Sequence, residues 1–424
     1  MTAAIKPPHP LRLLKTSFRD LRHRHRDRHR PTGFGFAFAD RVGYLSEGHW
    51  DAVTGGGSLF LRREVLRVIE DHGPANIRPR YAMIFRDDVP VAAVAAQIVT
   101  VTGDRLNAGA RDKEKKRPGA MLRRVLAPAA RAAQAGLRER ILIAGNLLCW
   151  GFDGLAFAPG ADPADLWPGV AEALYRIRRA ERLSGQTDFA MVKDVTPSQT
   201  GLEALRRFGY QPLETEPNMV LQIDPAWRSY EDYLAALDAK YRRNSKDQLK
   251  KLSAADCTLE HLTDLAPHTA RLHDLYLSVQ SHAAVRLVTV PETFLPALAG
   301  AIGADFRCTV VRRNGEILGF VTSLRNGSTA VAYYIGFDRA AAEAGLPLYL
   351  RLLHATVGDA IAWRCQRLSL GRTALEPKAA LGAKPETMSV WLRHRIPVMN
   401  LALRGVLGAV PHAEAPQRNP FKEA

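Results

Sequence analysis

The stretch "LGRTALEPKAALGAKP", Leu370 to Pro385, sets Arg372, Lys378 and Lys384 among small residues, with Lys378 four positions before Gly382. Arginine offers a planar pair of donors to a carboxylate or phosphate, and lysine a compact point charge. Such a stretch is either a solvated turn or a lip that holds an anion or a carbonyl. Other chemistries find little support. The four cysteines, Cys149, Cys257, Cys308 and Cys365, are far apart, with no CxxC pair. That spacing disfavours a zinc site or a disulfide framework and suits buried reduced thiols. His273 and His282 do not have a ligand spacing and read as structural or exposed. No Ser/His/Asp triad, phosphate-binding P-loop or dinucleotide turn is discernible.

The elements that must position these residues belong to a chain of 424 residues, long enough for two domains. Its formal charge is +16 and its pI about 9.9, which favours acidic partners such as phosphates, nucleic acid or an anionic lipid surface. No apolar run reaches membrane-span length, and the N-terminus has no apolar core of the signal-peptide kind. Residues 1–40 instead read as a basic, disordered tail, dense in arginine and histidine over "FRDLRHRHRDRHRP". Weak adhesion of that tail to anionic lipid or RNA is the functional alternative.

Between Arg307 and Gly371, Asn314-Gly315 and Asn326-Gly327 each separate segments rich in Val, Ile, Thr and Tyr. Asn-Gly supplies the positive φ of a two-residue hairpin turn, so a three-stranded meander is expected. A helix follows from Pro347, with Leu346, Leu350, Leu353, Val357, Ala360 and Ile361 at helical spacing. "RLSLG" reads as the next strand, and "MSVWLRHR" as another after the opening stretch. The first half shows a similar order. "YAMIFRDDVPVAAVAAQIVTVT" reads as two strands, "NLLCWGFDGLAFAP" as a further strand region, and "PADLWPGVAEALYRIRRAERLSG" as a helix. "DFAMVKDV" is a strand, "TGLEALRRFGY" a short helix and "NMVLQID" a last strand. Phe208-Gly209-Tyr210 sits where Leu381-Gly382-Ala383 sits later, so one α/β unit is repeated. Two basic segments interrupt the pattern. Gly103 to Arg140 reads as an insertion, a charged loop and then a helix around Leu122, Val125 and Leu126 that is a decoration, a lid or a membrane-surface element. Ser229 to Leu252 reads as a basic helix that opens the second unit. Tyr233, Leu237, Tyr241, Leu249 and Leu252 can face a core there, leaving Lys240, Arg242, Arg243, Lys246, Lys250 and Lys251 as a solvated face or a wall for a polyanion.

On "YEDYLAALDAKYRRNSKDQLKKL", "YYIGFD", the helix from Pro347 to Arg364 and "LGRTALEPKAALGAKP", the chain resembles the acyl-CoA N-acyltransferase (GNAT) superfamily. It is similar to the Fem-type and BioF2-like branch, which includes predicted peptidoglycan-related N-acyltransferases. Lys378 and Gly382 match that branch's lysine-x-x-x-glycine turn. The resemblance covers Ser229 to Arg395; the first half matches only in element order. It implies an α/β fold of two tandem GNAT-like units with mixed, mainly antiparallel sheets. The expected division is a first unit over 41–228 with its insertion at 103–140, a second over 229–400, and a C-terminal tail over 401–424. Acetyl-CoA-dependent members carry a glycine-patterned loop before the central helix that holds the pyrophosphate at the helix N-terminus. Here that place reads "DRAAAEAGLP", with Arg339 and Gly345 but without the pattern.

The resemblance implies direct acyl transfer to an amine with no metal. The donor is expected to be a thioester, acyl-CoA; the alternatives are aminoacyl-tRNA in cell-envelope synthesis, or a binding module that catalyses nothing. The expected acceptor is a small-molecule or envelope-precursor amine. The expected location is the cytoplasm, with peripheral contact at the anionic inner membrane face. Backbone of the fourth strand, "AVAYYIGF", would polarise the carbonyl where it splays from its neighbour. Asp338 and Glu343 are candidate general bases, each with the plainer reading of a carboxylate near a helix start. Tyr334 or Tyr349 would protonate the leaving group, or serve as core aromatics. Arg339, Arg243, Arg372 and Lys378 are candidates for holding donor or substrate.

Overall fold

Segments rich in Val, Ile, Ala and Thr, broken by turn residues, make seven strands in the first half. They are β1 (Gly35–Ala39), β2 (Ile77–Arg86), β3 (Val89–Thr102), β4 (Arg138–Ala144), β5 (Leu155–Phe157), β6 (Phe189–Val195) and β7 (Gln211–Gln222). The second half supplies β8 (Cys257–Leu262), β9 (Phe306–Arg313), β10 (Glu316–Asn326), β11 (Thr329–Phe337), β12 (Arg367–Ser369) and β13 (Lys384–His394). The computed structural model describes residues 30–102, 138–282, 286–396, 399–400, 416 and 418–422. In it these strands form one 13-stranded sheet in the order β1-β2-β3-β4-β6-β13-β7-β12-β11-β10-β9-β8, with β5 beside β3.

The middle of that order shows how the halves are joined. β7, the last strand of the first half, lies between β12 and β13 of the second; β13 lies between β6 and β7 of the first. Each half thus ends by handing a strand to the other. Two pairs are parallel, β4 with β6 and β11 with β12, and the rest are antiparallel. β6 and β12 run in opposite directions, so their C-terminal ends approach each other near the centre of the sheet. Arg372, just past β12, reaches Asp194 on β6 there at 2.8 Å.

Apolar side chains on both faces hold the sheet. One core draws on both halves, including Trp50, Phe60, Tyr81, Phe294, Phe320 and Tyr333. On the other face the helix Pro163–Ala180 covers the first half through Trp167, Val170 and Leu174, and the helix Leu348–Ala362 covers the second through Leu353, Val357 and Ile361. Fully burying such a side chain is worth about 1.5–3 kcal/mol. Asp162 caps the first of these helices by accepting the Ala164 N–H at 2.9 Å, with Pro163 at its first position.

Four sequence expectations are corrected. The strand beside β3 is β4, whose first residues fall inside the segment read as an insertion. "NLLCWGFDGLAFAP" is mostly loop, because Gly145 and Gly151 take φ of 141° and 123° and bend the chain; only Leu155–Phe157 is strand. The basic segment forms two helices, Tyr230–Ala236 and Ala239–Ala254, with Leu237 between them paired to Phe421; Leu249 on the second is exposed. Asn314 and Gly315 both take positive φ as expected, whereas the second hairpin turns at Gly327-Ser328. Asn326 stays in β10 and accepts the Leu59 N–H at 2.7 Å. The arginine-histidine tail up to residue 29, the helix around Leu122 and residues 401–415 lie outside the described residues.

Candidate active site

β11 pairs with β12 only through Thr329↔Arg367, Ala330↔Leu368 and Val331↔Ser369. It then runs on to Phe337 with no strand on that side, so a slot opens between the two strands. A bulge lies at the opening: Val321↔Ile335 and Ser323↔Ala332 leave Tyr333 and Tyr334 opposite Thr322 alone. The Thr322 hydroxyl fastens the bulge, accepting the Tyr334 N–H at 2.9 Å and donating to the Tyr334 carbonyl at 3.2 Å. The extra residue puts both rings into the same core, where their centroids lie 4.5 Å apart. Burial, with the neighbouring Tyr276, holds the Tyr334 phenol well above its usual range, and its hydroxyl donates to the Leu148 carbonyl at 3.4 Å.

The first half walls this slot. Where β11 extends past its parallel partner, its counterpart β4 stops at the last paired residue, Ala144↔Val192, and the chain turns into the loop 145–154. Trp150 of that loop donates to the Ser369 hydroxyl at 2.8 Å and packs against Tyr333 and Gly371. Ser369 and the Gly371 N–H are held in turn by Asn218 on β7. Asp194 has 0% side-chain exposure and accepts from Lys193, the Gly151 N–H and Arg372. Arg372 thus spans the two halves. Sequence reasoning missed Trp150, Asp194 and Asn218, since no local pattern marks a contact made across 150 residues or more.

Lys378 lies on the short helix Leu375–Ala380 that follows β12. It is 3% exposed, and its ammonium has no hydrogen bond or ion pair among the described residues. Burial lowers its pKa to about 7. Its counterpart in the first half is Leu205. Both precede a positive-φ glycine by four residues, Gly209 at 86° and Gly382 at 93°. Both accept a backbone N–H from the fifth residue on, Tyr210 at 3.2 Å and Ala383 at 3.1 Å.

The other candidates are dispersed. The Asp338 carboxylate caps the helix Arg339–Glu343 by accepting the Ala341 N–H at 2.9 Å, and its second oxygen faces Arg271 at 3.5 Å. Arg339 and Glu343 pair with each other at 3.8 Å on the surface. Tyr349 packs on Phe337 at the far side of β11, and burial raises its phenol to about 12. Arg243 is exposed on the basic helix. No group of His, Cys, Asp and Glu among the described residues is placed to hold a metal ion.

Residues 239–379 match the family model of the acetyltransferase (GNAT) domain. The match lies within the second half of the chain. Among solved structures, FemX shares its fold, with 10% identity, 87% of this chain and 99% of that chain covered, and a TM-score of 0.52. A tandem GNAT protein from the clavulanic acid biosynthesis pathway aligns at 12% identity over 85% and 98% of the chains, TM-score 0.47. L-PGS from Bacillus licheniformis aligns at 10% identity over 82% and 96%, TM-score 0.43. Among curated proteins, none matches the sequence. The domain match supports a transferase of the GNAT type, and the parallel pairs β4–β6 and β11–β12 show a similar arrangement in each half.

In this GNAT domain the basic helix Ala239–Ala254 is tied to the central helix Leu348–Ala362 by a buried polar set. The Tyr230 hydroxyl meets His354 Nδ1 at 2.9 Å and accepts from Arg351 at 2.9 Å, while His354 Nε2 lies 3.4 Å from the Ser245 hydroxyl. Burial and the Arg351 charge lower the His354 pKa to about 3, so the ring stays neutral. The tie leaves Lys240, Arg243, Lys246, Lys250 and Lys251 exposed, with no ion pair to them among the described residues. Arg351 and His354 were legible only as polar interruptions of a face whose apolar period otherwise predicts a core helix.

Proposed function

We propose that the second half transfers an acyl group to an amine by direct attack in the slot between β11 and β12. The observation that carries this reading is the parting of those strands after Val331, with the unpaired edge of β11 running on to Phe337. The attacking nitrogen forms a bond to the carbonyl carbon, the bond from that carbon to the donor's sulfur or oxygen breaks, and a proton passes from nitrogen to the leaving atom. The unpaired edge of β11 beyond Val331 supplies backbone N–H dipoles at the carbonyl, and the Tyr334 hydroxyl, held protonated, relays the proton. Lys378 receives the developing negative charge: an ammonium freed from water interacts with it far more strongly than a solvated one does. Arg372 is assigned to joining the halves, and Asp338 to capping, rather than to the chemistry.

Sequence resemblance favours an acyl-CoA donor, but two features favour aminoacyl-tRNA. The place of the pyrophosphate loop is taken by the helix Arg339–Glu343, headed by the Asp338 carboxylate. The exposed cations of the basic helix suit a polyanion, and tRNA is one. The acceptor in that reading is an amine of a cell-envelope precursor, met in the cytoplasm or at the inner membrane face. No helix among the described residues is long and apolar enough to cross a membrane. The test is the thermal midpoint of the purified protein with coenzyme A thioesters and with charged tRNA, followed by transfer of a labelled acyl group to amines. A shift with tRNA that fades with salt, and transfer from it, is expected. A shift with coenzyme A alone returns the donor to a thioester. Transfer from neither donor to any amine defeats the reading.

A further inference from the structure

A sizeable cavity lies away from the slot, at the other end of β12. It has a volume of about 710 Å³, within the range of small-molecule sites. Its floor is the C-terminal end of β7 with the residue after it, Val220 to Ile223, and its walls include Trp227, Ala235 and Phe421. Phe421 belongs to a C-terminal strap. The Pro420 carbonyl accepts the Asp238 N–H at 2.8 Å, the Lys422 N–H donates to the Ala236 carbonyl at 3.2 Å, and Arg418 pairs with Glu376. The Phe421 ring packs on Trp227 at 5.6 Å and on Tyr233 at 6.2 Å.

The charges lining this cavity are mostly positive. Lys384, Arg418 and Lys422 line it beside one carboxylate among the described residues, Asp224. One Asp224 oxygen is taken up locally, accepting the Ala226 N–H at 2.8 Å. Lys384 and Lys422 have no side-chain partner among the described residues. Trp227 is 9% exposed and lines the cavity. An occupant that satisfies the cavity has an apolar body for Leu221, Ile223, Trp227 and Phe421, and an anionic head for Lys384 and Lys422.

We propose that this cavity is a binding site for an anionic amphiphile, an acyl chain ending in a carboxylate or a phosphate. The site is separate from the proposed acyl transfer and does not depend on it. Dodecanoate and dodecyl phosphate are suitable probes of the full-length chain below their micelle concentrations, with dodecyltrimethylammonium as the cationic control. Isothermal titration reads binding directly, independent of turnover. Saturable binding of one anionic probe per chain is expected, with at least tenfold weaker binding by the cationic control. Which anionic head binds more tightly distinguishes a free acyl carboxylate from a phosphate head. Lys384→Glu combined with Lys422→Glu is expected to weaken binding at least tenfold. Ala235→Trp, which fills the cavity from an exposed helix position, is expected to abolish it with an unchanged circular dichroism spectrum. Equal uptake of the cationic probe, or undiminished binding by the folded Ala235→Trp variant, overturns the proposal.

Discussion

Leu205 and Lys378 occupy the same position in the two halves of the molecule, on the same kind of short helix and before the same kind of glycine turn. The leucine is 0% exposed and belongs to the first half's core; the lysine is 3% exposed and has no partner for its charge among the described residues. The first half shows that the backbone asks only for an apolar side chain there. The second half puts an amine in that place, against the cost of taking it out of water. The strands beside the two turns differ in the same sense. β4 ends where its pairing with β6 ends, and its loop is packed with Trp150 and Cys149. β11 runs past its partner and leaves a slot. The half that keeps the slot also keeps the charge, as the proposed role of Lys378 requires.

Converting the second turn to the first is the sharpest way to break this comparison. Lys378→Leu is expected to lower acyl transfer by about 100-fold or more, the scale of losing one preorganised electrostatic partner, with the fold intact. Single-turnover rates with donor in excess give the measurement. Activity within a few fold of wild type would leave the lysine without a role in the reaction.

The same substitution has a thermodynamic signature. The Lys378 pKa is lowered from 10.5 to about 7, so between these values the unfolded chain binds the proton and the folded protein does not. Stability therefore rises with pH through that window, and the penalty is fully present below pH 7. Lys378→Leu is expected to be the more stable protein by about 4 kcal/mol at pH 6, and the gain is expected to vanish near pH 10. Denaturant titrations across pH test the sign. A gain that does not depend on pH would mean that the lysine is not desolvated.

Arg372 sharpens the comparison from the other side, because its partner Asp194 is a first-half residue held at the position where the second half has Gly371. Both take positive φ, 53° and 80°. Arg372→Ala leaves the buried carboxylate with Lys193 and the Gly151 N–H only. A loss of about 2 kcal/mol is expected in chemical denaturation, below the 3–5 kcal/mol of a fully broken buried pair. Asp194→Asn in the same background should restore part of it.

How much of this was legible in the sequence depends on the range of the signal. Asn314-Gly315, Pro347 and Asp162 act within a few residues, and the elements they delimit form where expected. The repeat was visible in element order, and Lys378 through its glycine four residues on. The exchange of β7 and β13 was not, since both are alternating strands whose partners are fixed by the whole sheet. The slot was expected from resemblance alone; its bulge depends on Thr322, and its wall on Trp150 reaching Ser369 across 219 residues. The buried set of Tyr230, Arg351, His354 and Ser245 joins two helices that each read as ordinary by themselves.

The smallest predicted effect separates the turns by what lies over them. Gly209 and Gly382 have nearly the same φ, so alanine is strained equally at both. Their neighbours differ. A methyl group on Gly209 meets the flexible Asn400 amide at 3.3 Å, whereas one on Gly382 overlaps the Phe421 ring of the C-terminal strap. Gly209→Ala is expected to cost about 1 kcal/mol and Gly382→Ala about 2–3 kcal/mol. The excess should disappear in a Phe421→Ala background, because the ring is what the methyl group displaces. A double-mutant cycle in chemical denaturation measures that coupling. If the two glycines cost the same with Phe421 present, the strap yields freely, and the likeness of the two turns extends to their covers.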